Sequence, residues 1–260
     1  MHVTVLMENT TCRPDLSCEH GLSLYIEANG RRILFDAGQT EAFADNAALL
    51  GMDLQSVDLA ILSHGHYDHS GGLLRFLQEN DHAPVYMHRA APEPHWHGPE
   101  KNIGIDPALM DTGRIVMTGD AFDLAEGLRL CSCNGLPMPY APSFGGLQVK
   151  RGLQLLPDDF RHEQYLIIQE GERRIVVSGC SHKGAMNLMH WLRPDVLIGG
   201  FHFVQMDPQG EELSAAARAM AALNGRYYTG HCTGQEQFAT LKNVLGDSIS
   251  YLSTGMSFEI

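Results

Sequence analysis

One short stretch decides the fold of this chain, and it reads SHGHYDHSGG at residues 63–72. It directly follows Val57–Leu62, a run that is apolar except for Asp58 and is of the kind expected for a strand buried on both faces. At the end of that strand the stretch supplies three imidazoles and one carboxylate, those of His64, His66, His69 and Asp68. Neutral imidazole suits zinc, iron, nickel or copper, and the carboxylate adds negative charge. The stretch therefore predicts a site for one or two divalent cations.

The clustering of histidine makes the metal interpretation specific, in a chain of 260 residues that has 14 histidines. The alternative is a polar loop whose imidazoles cap the helix predicted over Gly72–Gln78. Bringing several imidazoles together at one strand end without a ligand costs desolvation energy. We therefore expect a cation there.

Strand and helix patterns alternate on both sides of this stretch. Asn29-Gly30 is a hairpin signal between two apolar runs, and Gly51 ends an apolar pattern of helical spacing. Strands are predicted at His2–Met7, Leu22–Glu27, Arg32–Phe35, Val57–Leu62, Pro84–Met87, Tyr165–Gln169, Arg174–Val177, Val196–Ile198, Arg226–Tyr228 and Ser248–Leu252. Helices are predicted at Thr40–Leu50, Gly72–Gln78, Ala185–Leu192, Glu212–Leu223 and Gln235–Leu245. Because strands in clusters and then strand–helix alternation occur twice, we expect an α/β fold of two halves packed sheet to sheet, with helices outside.

The stretch from about 90 to 161 is rich in proline and glycine and shows periodicity only near Arg114–Met117 and Leu128–Ser132. We expect long loops or a lid here, inserted into a single domain that spans residues 1–260. The stretch also carries His95 and His97, bracketed by prolines and without a carboxylate close in sequence. That setting favours a lid or a substrate wall over an additional metal site.

The charge of the chain is acidic, with 18 Lys+Arg against 31 Asp+Glu and a formal net charge of −13. Such a surface argues against binding to nucleic acid or anionic lipid. No apolar run approaches the roughly 18 residues of a membrane span, and no signal-peptide pattern follows Met1. We therefore expect a cytoplasmic protein with a small-molecule substrate, and the sequence leaves its oligomeric state open.

The six cysteines are too sparse for a disulfide framework, so some thiols are candidate metal ligands.

The pattern His-X-His-X-Asp-His after an apolar strand resembles the signature of the metallo-β-lactamase-fold superfamily. The resemblance implies a four-layer αβ/βα sandwich with a metal site on one edge. Further phrases are similar to the branch labelled 7,8-dihydropterin-6-methyl-4-(β-D-ribofuranosyl)aminobenzene-5′-phosphate synthase, namely ENT at 8–10, EHGLS at 19–23, LFDAGQ at 34–39, SGCSH at 178–182, GGFH at 199–202 and HCTG at 231–234. The resemblance extends over nearly the whole chain.

The resemblance implies that His64 and His66 hold a first cation, and two residues compete to be its third ligand. His182 follows the strand predicted at Arg174–Val177. His162 precedes the strand predicted at Tyr165–Gln169, much as the superfamily's third histidine precedes its strand. We favour His182, and the choice stays open at this point.

A second cation is implied at Asp68 and His69. Cys180 stands where many superfamily members place a bridging aspartate, and a thiolate there favours zinc. His231 is the best candidate for the last ligand of this ion. His202 falls in the order where phosphodiesterase members carry a catalytic histidine that is not a ligand, so we expect proton transfer or oxyanion stabilisation from it. The alternative is that His202 itself closes the second site.

Two further residues are candidates around the predicted metal ligands. Asp36 ends a strand, and we expect it to accept a ring N–H from a ligating histidine, with a turn or a helix cap as the alternative. His20 lies at a strand start near the expected cleft, as an additional ligand, a substrate contact or an ordinary polar residue.

Two adjacent cations, zinc in the first place with Mn²⁺ or Fe²⁺ as alternatives, produce a hydroxide nucleophile at neutral pH, and Asp68 orients it. The sequence therefore predicts a hydrolase of a small ester, lactone or phosphodiester. The branch label instead implies a synthase or transferase on the same metal site, and a metal-bound sensor or redox partner is a third possibility. We favour hydrolysis because no glycine-rich loop precedes a helix in the way that phosphate binding requires.

Overall fold

The structure is a computed structural model that describes residues 1–142 and 145–260. Its strands are His2–Met7 (β1), Ser23–Ala28 (β2), Arg31–Phe35 (β3), Leu59–Ile61 (β4), Val85–His88 (β5), His95–His97 (β6), Lys101–Asn102 (β7), Ile115–Thr118 (β8), Ala121–Ala125 (β9), Leu128–Cys131 (β10), Leu147–Arg151 (β11), Gln154–Pro157 (β12), Tyr165–Glu170 (β13), Arg173–Val177 (β14), Val196–Ile198 (β15), Arg226–Thr229 (β16), Ile249–Tyr251 (β17) and Ser257–Glu259 (β18). These strands contain all of the predicted ones, with ends shifted by one or two residues.

The α-helices are Ala42–Leu50 (α1), Tyr67–Ser70 (α2), Leu73–Glu79 (α3), Ala185–Leu192 (α4), Glu211–Ala222 (α5) and Gln235–Leu245 (α6). Short 3-10 turns occupy Leu54–Ser56, Pro107–Thr112, His231–Thr233 and Gly246–Ser248. In the described part of the chain, none of these helices has the length and apolar character needed to cross a membrane.

Two large sheets form the framework of the molecule. The first has the strand order β18-β1-β2-β3-β4-β5-β8, and the second has the order β17-β16-β15-β14-β13-β10-β9. Pairing is parallel from β3 through β4 and β5 to β8, and again from β14 through β15 and β16 to β17. Each half therefore joins an antiparallel part to a parallel part.

The largest hydrophobic cluster lies between the two sheets, where Ile26 and Ile61 of the first sheet share a core with Ile168 and Ile198 of the second. The outer faces bury separate clusters against the helices. Phe43 of α1 and Phe76 of α3 pack on the first sheet, and α4, α5 and α6 pack on the second through Leu188, Leu213 and Leu241. The predicted helix–sheet–sheet–helix arrangement is therefore present.

The middle of the chain contains more strand than the sequence predicts. Besides β8 and β10, it holds β9 at an edge of the second sheet and a small sheet of order β12-β11-β6-β7. The prediction of mainly loops over 90–161 underestimates this content because the short strands are largely exposed and show no apolar alternation. This small sheet stands beside the predicted metal loop, since Tyr67 N–H donates to the carbonyl of Ile103.

Candidate metal centre

The loops after the parallel strands of both halves converge on one edge of the sandwich. The loop 63–72 follows β4 and is fixed to the second half, because Gln164 N–H donates to the carbonyl of Ser63 at 2.8 Å. Gly179, after β14, has no room for a side chain: a Cβ there would lie 2.2 Å from Ser63 Oγ and 2.9 Å from His64 Nδ1. Glycine at this position therefore allows the two halves to approach closely at the site.

A first group of imidazoles consists of His64, His66 and His182, whose nitrogens lie within 4.8 Å of one another. His64 Nε2 is 3.3 Å from His182 Nε2. The backbone N–H of His182 donates to Glu163 Oε1 at 2.7 Å, and the ring of Phe160 stacks on its imidazole at 4.6 Å. Of the two competing histidines, His182 is thus the one that lies against His64.

His162 belongs to a different group of side chains. Its Nδ1 accepts a hydrogen bond from Gly65 N–H at 2.9 Å, and its Nε2 is 3.3 Å from Asp158 Oδ2. It shares its surroundings with His66, His95 and Asp158. Both ring nitrogens of His162 thus face partners other than His64, although its ring adjoins that of His66 with centres 5.2 Å apart.

A second group surrounds His69. Its Nε2 is 3.2 Å from Cys180 Sγ and 3.2 Å from His231 Nε2. Asp68 Oδ2 lies 3.8 Å from His69 Nε2 and 3.5 Å from His231 Nε2. Cys232, which the sequence analysis did not single out, also lies within 4.8 Å of the potential ligand atoms of Cys180 and His231. Cys232 directly follows His231 in the chain, and this adjacency to a predicted ligand could have indicated its place at the site.

The spacing of these donor atoms fits a cation. Nitrogen ligands bound at 2.0–2.1 Å in tetrahedral geometry lie about 3.3 Å apart. The distance between His64 Nε2 and His182 Nε2 and that between His69 Nε2 and His231 Nε2 are 3.3 and 3.2 Å. The residues present therefore suit a divalent metal ion in both groups.

Hydrogen bonds at the outer nitrogens fix which nitrogen of each ring faces inward. Ser63 Oγ donates its only proton to Asp36 Oδ2, so the neighbouring His64 Nδ1, at 2.8 Å, must donate to that hydroxyl. His69 Nδ1 donates to Asp36 Oδ2 at 2.7 Å, and His231 Nδ1 donates to Asn9 Oδ1 at 2.9 Å. In all three rings Nε2 is left as a lone pair that faces the centre, and a ligating imidazole must present such a lone pair.

Burial keeps most of these imidazoles neutral. It lowers the pKa of His64, His66 and His182 well below the ordinary value, and it lowers the pKa of His231 to about 4. His69 differs: burial opposes its charge, but the carboxylates of Asp36 and Asp68 outweigh this and raise its pKa. The position beside those carboxylates thus favours positive charge, as a cation would supply.

The two other potential ligands need a cation for different reasons. Burial and the neighbouring Cys232 raise the pKa of the Cys180 thiol well above its usual value, so its thiolate requires a positive partner. Burial also disfavours the charge of Asp68, but the neighbouring imidazoles of His69, His20 and His231 hold its pKa well below the usual range. Asp68 is therefore an ionised carboxylate aimed at the second group.

His20 supports Asp68 from the outside of the site. Its Nδ1 is 3.3 Å from Asn9 Nδ2, which can only donate, so its neutral ring carries the proton on Nε2. That nitrogen lies 3.2 Å from Asp68 Oδ2. The geometry makes His20 a hydrogen-bond donor to the carboxylate.

A cavity of about 250 Å³ opens above both groups. His202 lines it with its ring centre 4.5 Å from that of His182, and burial lowers the pKa of His202 to about 4. Lys101, from β7, also lines the cavity and donates to Tyr67 Oη at 3.3 Å. His202 thus faces the cavity as a neutral ring, and Lys101 adds a cation that the sequence analysis missed.

Comparisons with known proteins agree with this architecture. The family model of the metallo-beta-lactamase superfamily matches residues 16–231. The 7,8-dihydropterin-6-methyl-4-(beta-D-ribofuranosyl)-aminobenzene-5′-phosphate synthase of Methanocaldococcus jannaschii is 31% identical over 243 residues, covering 83% of this chain and 81% of that protein. The crystal structure of Tm1679, a metal-dependent hydrolase of the beta-lactamase superfamily, matches with a TM-score of 0.86 and 25% identity, covering 100% of this chain and 99% of that one.

A further solved structure shares the fold at lower identity. The Zn²⁺-bound PqqB of Methylobacterium extorquens matches with a TM-score of 0.62 and 13% identity, over 100% of both chains. The metal signature of loop 63–72, the paired sheets and the matched family model lead to one assignment. The chain belongs to the metallo-β-lactamase superfamily.

Proposed function

We propose that this protein is a metal-dependent hydrolase of a small ester, lactone or phosphodiester. The observation that carries the proposal is the inward orientation of Nε2 in His64, His69 and His231, fixed by hydrogen bonds at each Nδ1. This arrangement lies at the base of a cavity large enough for a small molecule. Such preorganisation supports catalysis by bound cations.

We assign the ligands in two groups. His64, His66 and His182 hold the first cation. The second cation is held by Asp68, His69, Cys180 and His231. The thiol of Cys180 and the imidazoles favour zinc, whereas the carboxylate also accommodates Mn²⁺ or Fe²⁺.

When bound, the cations supply Lewis acidity and lower the pKa of a coordinated water from 15.7 toward about 7. Asp68 then has two functions, since its carboxylate contacts the second group and can accept a hydrogen bond from the attacking water. His20 holds that carboxylate in place through its Nε2–H. His202 presents a neutral imidazole to the cavity and donates a hydrogen bond to the oxygen on which negative charge develops.

The second candidate function is a synthase or transferase on the same residues. The relative from Methanocaldococcus jannaschii, which bears a synthase name and is 31% identical, favours it. Both functions need bound cations, so metal dependence alone does not separate them. Water as the acceptor is what distinguishes hydrolysis.

The test is turnover of defined substrate panels by the purified protein loaded with zinc or manganese. We expect hydrolysis of a member of a phosphodiester, lactone or carboxylic ester panel, and loss of that activity in the His64→Ala variant. Reaction in ¹⁸O-labelled water should place one heavy oxygen in the product. Loaded protein that hydrolyses none of these panels, but transfers a phosphoribosyl group to an aromatic amine, would establish the synthase instead.

A further inference from the structure

A buried cluster of titratable side chains lies next to the metal loop and takes no part in the ligand groups assigned above. It consists of His95 on β6, Asp158 after β12 and His162 before β13, each 1% exposed, and it adjoins His66. His95 Nδ1 is 2.7 Å from Asp158 Oδ2, and His162 Nε2 is 3.3 Å from the same oxygen. Together with His66, each of these side chains offers one nitrogen or oxygen atom, and the four atoms lie within 4.8 Å of one another.

Hydrogen bonds determine the protonation of this cluster. Gly65 N–H donates to His162 Nδ1, so the neutral ring of His162 carries its proton on Nε2 and directs it at Asp158. Burial opposes the charge of Asp158, but hydrogen bonds from His162 and His95 hold its pKa far below the usual range. Asp158 Oδ1 accepts the backbone N–H of Phe160 at 2.8 Å, which leaves Oδ2 for the two rings.

The ring of His95 lies next to that of His66. Because His95 donates through Nδ1, its Nε2 is a lone pair, buried and without a hydrogen-bond partner among the described residues. His66 Nε2 is also buried and unpartnered within the same described ranges. The two rings meet edge to face, with centres 5.4 Å apart.

Glycine at position 65 permits this approach. A Cβ there would lie 2.9 Å from His95 Nε2 and 2.2 Å from the carbonyl oxygen of Ala91. The metal loop and the β6 segment therefore pack backbone against side chain at this point. The close contact brings an otherwise unexplained histidine of the middle segment to the ligand His66.

We propose that His95, Asp158 and His162 are positioning residues for His66. We expect the Nε2–H of His66 to donate to the Nε2 of His95 once the cation is bound, since neither atom has a hydrogen-bond partner in the described part of the chain. His95 Nδ1–H already donates to Asp158, which His162 holds in place. The contact leaves the Nδ1 lone pair of His66 for the cation, and the buried carboxylate makes the ring a stronger ligand. This inference rests on the proposed metal-dependent function and names which residues set the first cation's affinity.

The same hydrogen bonds argue against a third metal ion in the cluster. A ligating imidazole must present a lone pair, whereas His162 Nε2 carries the proton because its Nδ1 accepts from Gly65 N–H. The distance of 2.7 Å between His95 Nδ1 and Asp158 Oδ2 is also that of a charge-assisted hydrogen bond, shorter than the separation of two ligands on one zinc ion.

The experiment measures zinc binding to metal-free protein by competition with a chromophoric chelator. We expect two zinc ions per chain in the unsubstituted protein. His95→Leu should weaken one of the two sites by 10- to 100-fold and leave the other unchanged. His95→Gln, whose amide can both accept from His66 and donate to Asp158, should restore most of the affinity. His82→Leu, at an exposed histidine outside the cavity, is the matched control and should bind as the unsubstituted protein does.

A second measurement avoids substitution altogether. A long-range ¹H–¹⁵N spectrum of the zinc-loaded protein should show His66 protonated at Nε2. Protonation at Nδ1, a zinc ion found among His95, Asp158 and His162 by anomalous diffraction, or unchanged affinity in a folded His95→Leu variant would each overturn the positioning role. Failure of the unsubstituted protein to bind any cation would instead overturn the proposed function.

Discussion

Asp36 Oδ2 lies 2.7 Å from His69 Nδ1, and both side chains are completely buried. The carboxylate is not itself within the ligand groups, but it also receives the backbone N–H and the hydroxyl of Ser63 at 2.7 Å each. Through Ser63 it orients His64, and directly it orients His69. One carboxylate thus fixes a ligand of each proposed cation.

This relationship predicts the effect of Asp36→Asn. The amide keeps the size of the side chain and tolerates the left-handed backbone at φ 59°. It cannot accept from both Ser63 and His69 as the carboxylate does, so zinc affinity should fall by about 10- to 100-fold. Competition with a chelator measures the change. Asp53→Asn, at a turn away from the site, is the control, and equal affinities in the two variants would contradict the role of Asp36.

The division between ligand and catalytic histidine predicts different losses in two variants. His66→Ala should lose both bound metal and activity, because it removes a ligand of the first cation. His202→Ala should keep the metal and lose turnover by 10²- to 10³-fold, as expected for one oxyanion donor. Metal content by mass spectrometry and initial rates check both. An empty second site in His202→Ala would show that His202 is a ligand.

The sequence alone brings the candidate ligands of the metal loop together, because they fall within six residues. His64, His66, Asp68 and His69 need only the end of one strand to come together. Cys180 and His231 follow from their places after β14 and β16, since parallel strands end at the same edge. Residues that follow parallel strands can therefore be predicted to lie close together even when they are far apart in the sequence.

The choice between His182 and His162 could not be made in the same way. The two residues flank the antiparallel pair β13 and β14, so both reach the site edge. The structure separates them by their partners: His182 Nε2 lies 3.3 Å from His64 Nε2, whereas the two ring nitrogens of His162 face Gly65 N–H and Asp158. The contact of His95 with a carboxylate was harder still to predict from the sequence, because its partner Asp158 is 63 residues away in the chain.

Cys180 predicts the metal preference of the second site. Replacing it by aspartate, Cys180→Asp, exchanges a soft sulfur ligand for a hard oxygen ligand and should shift preference from zinc toward manganese. Cobalt-loaded protein reports this directly, since sulfur-to-cobalt charge-transfer absorption should be present before the substitution and absent after it. Cys12→Asp, at an exposed thiol, is the control. Persistence of the band in Cys180→Asp would remove Cys180 from the ligand set.

The buried imidazoles predict a steep pH dependence of the metal-free protein. Burial lowers the pKa of His162, His202 and His231 to about 4, against about 6.5 when unfolded. Between these values the unfolded chain binds more protons than the folded one, so the free energy of unfolding rises with pH and falls on acidification. Each such ring changes the free energy of unfolding by up to about 1.4 kcal/mol per pH unit. The pKa of His69 is raised, so this one ring has the opposite effect on the pH dependence.

Thermal unfolding in the presence of a chelator tests this dependence. We expect a lower midpoint at pH 5.5 than at pH 7.5, with a smaller difference in His202→Asn, because that substitution removes one ring whose neutral form the fold requires. Asparagine also tolerates the positive φ of 55° at that position. A midpoint that is constant or higher at pH 5.5 would show that these rings are not held neutral in the folded protein.

The position of Lys101 in the cavity lining predicts that the protein prefers anionic substrates to neutral ones. Its ammonium group donates to Tyr67 Oη and lies 5.3 Å from the centre of that ring, in the lining of the cavity. Among the described residues that line the cavity, it is the one lysine or arginine. A hydrogen bond from such a group to a charged oxygen contributes about 1.5–3 kcal/mol, which is roughly 10- to 100-fold in binding.

Lys101→Met should therefore raise KM for a phosphodiester by at least about 10-fold and leave KM for a neutral lactone nearly unchanged. Methionine keeps the length of the apolar stem, so the comparison isolates the charge. The control is Lys150→Met, since Lys150 makes a similar contact with the Trp96 ring but lies outside the cavity lining. Equal changes in KM for the anionic and the neutral substrate would show that Lys101 contributes to the shape of the cavity and does not select substrates by charge.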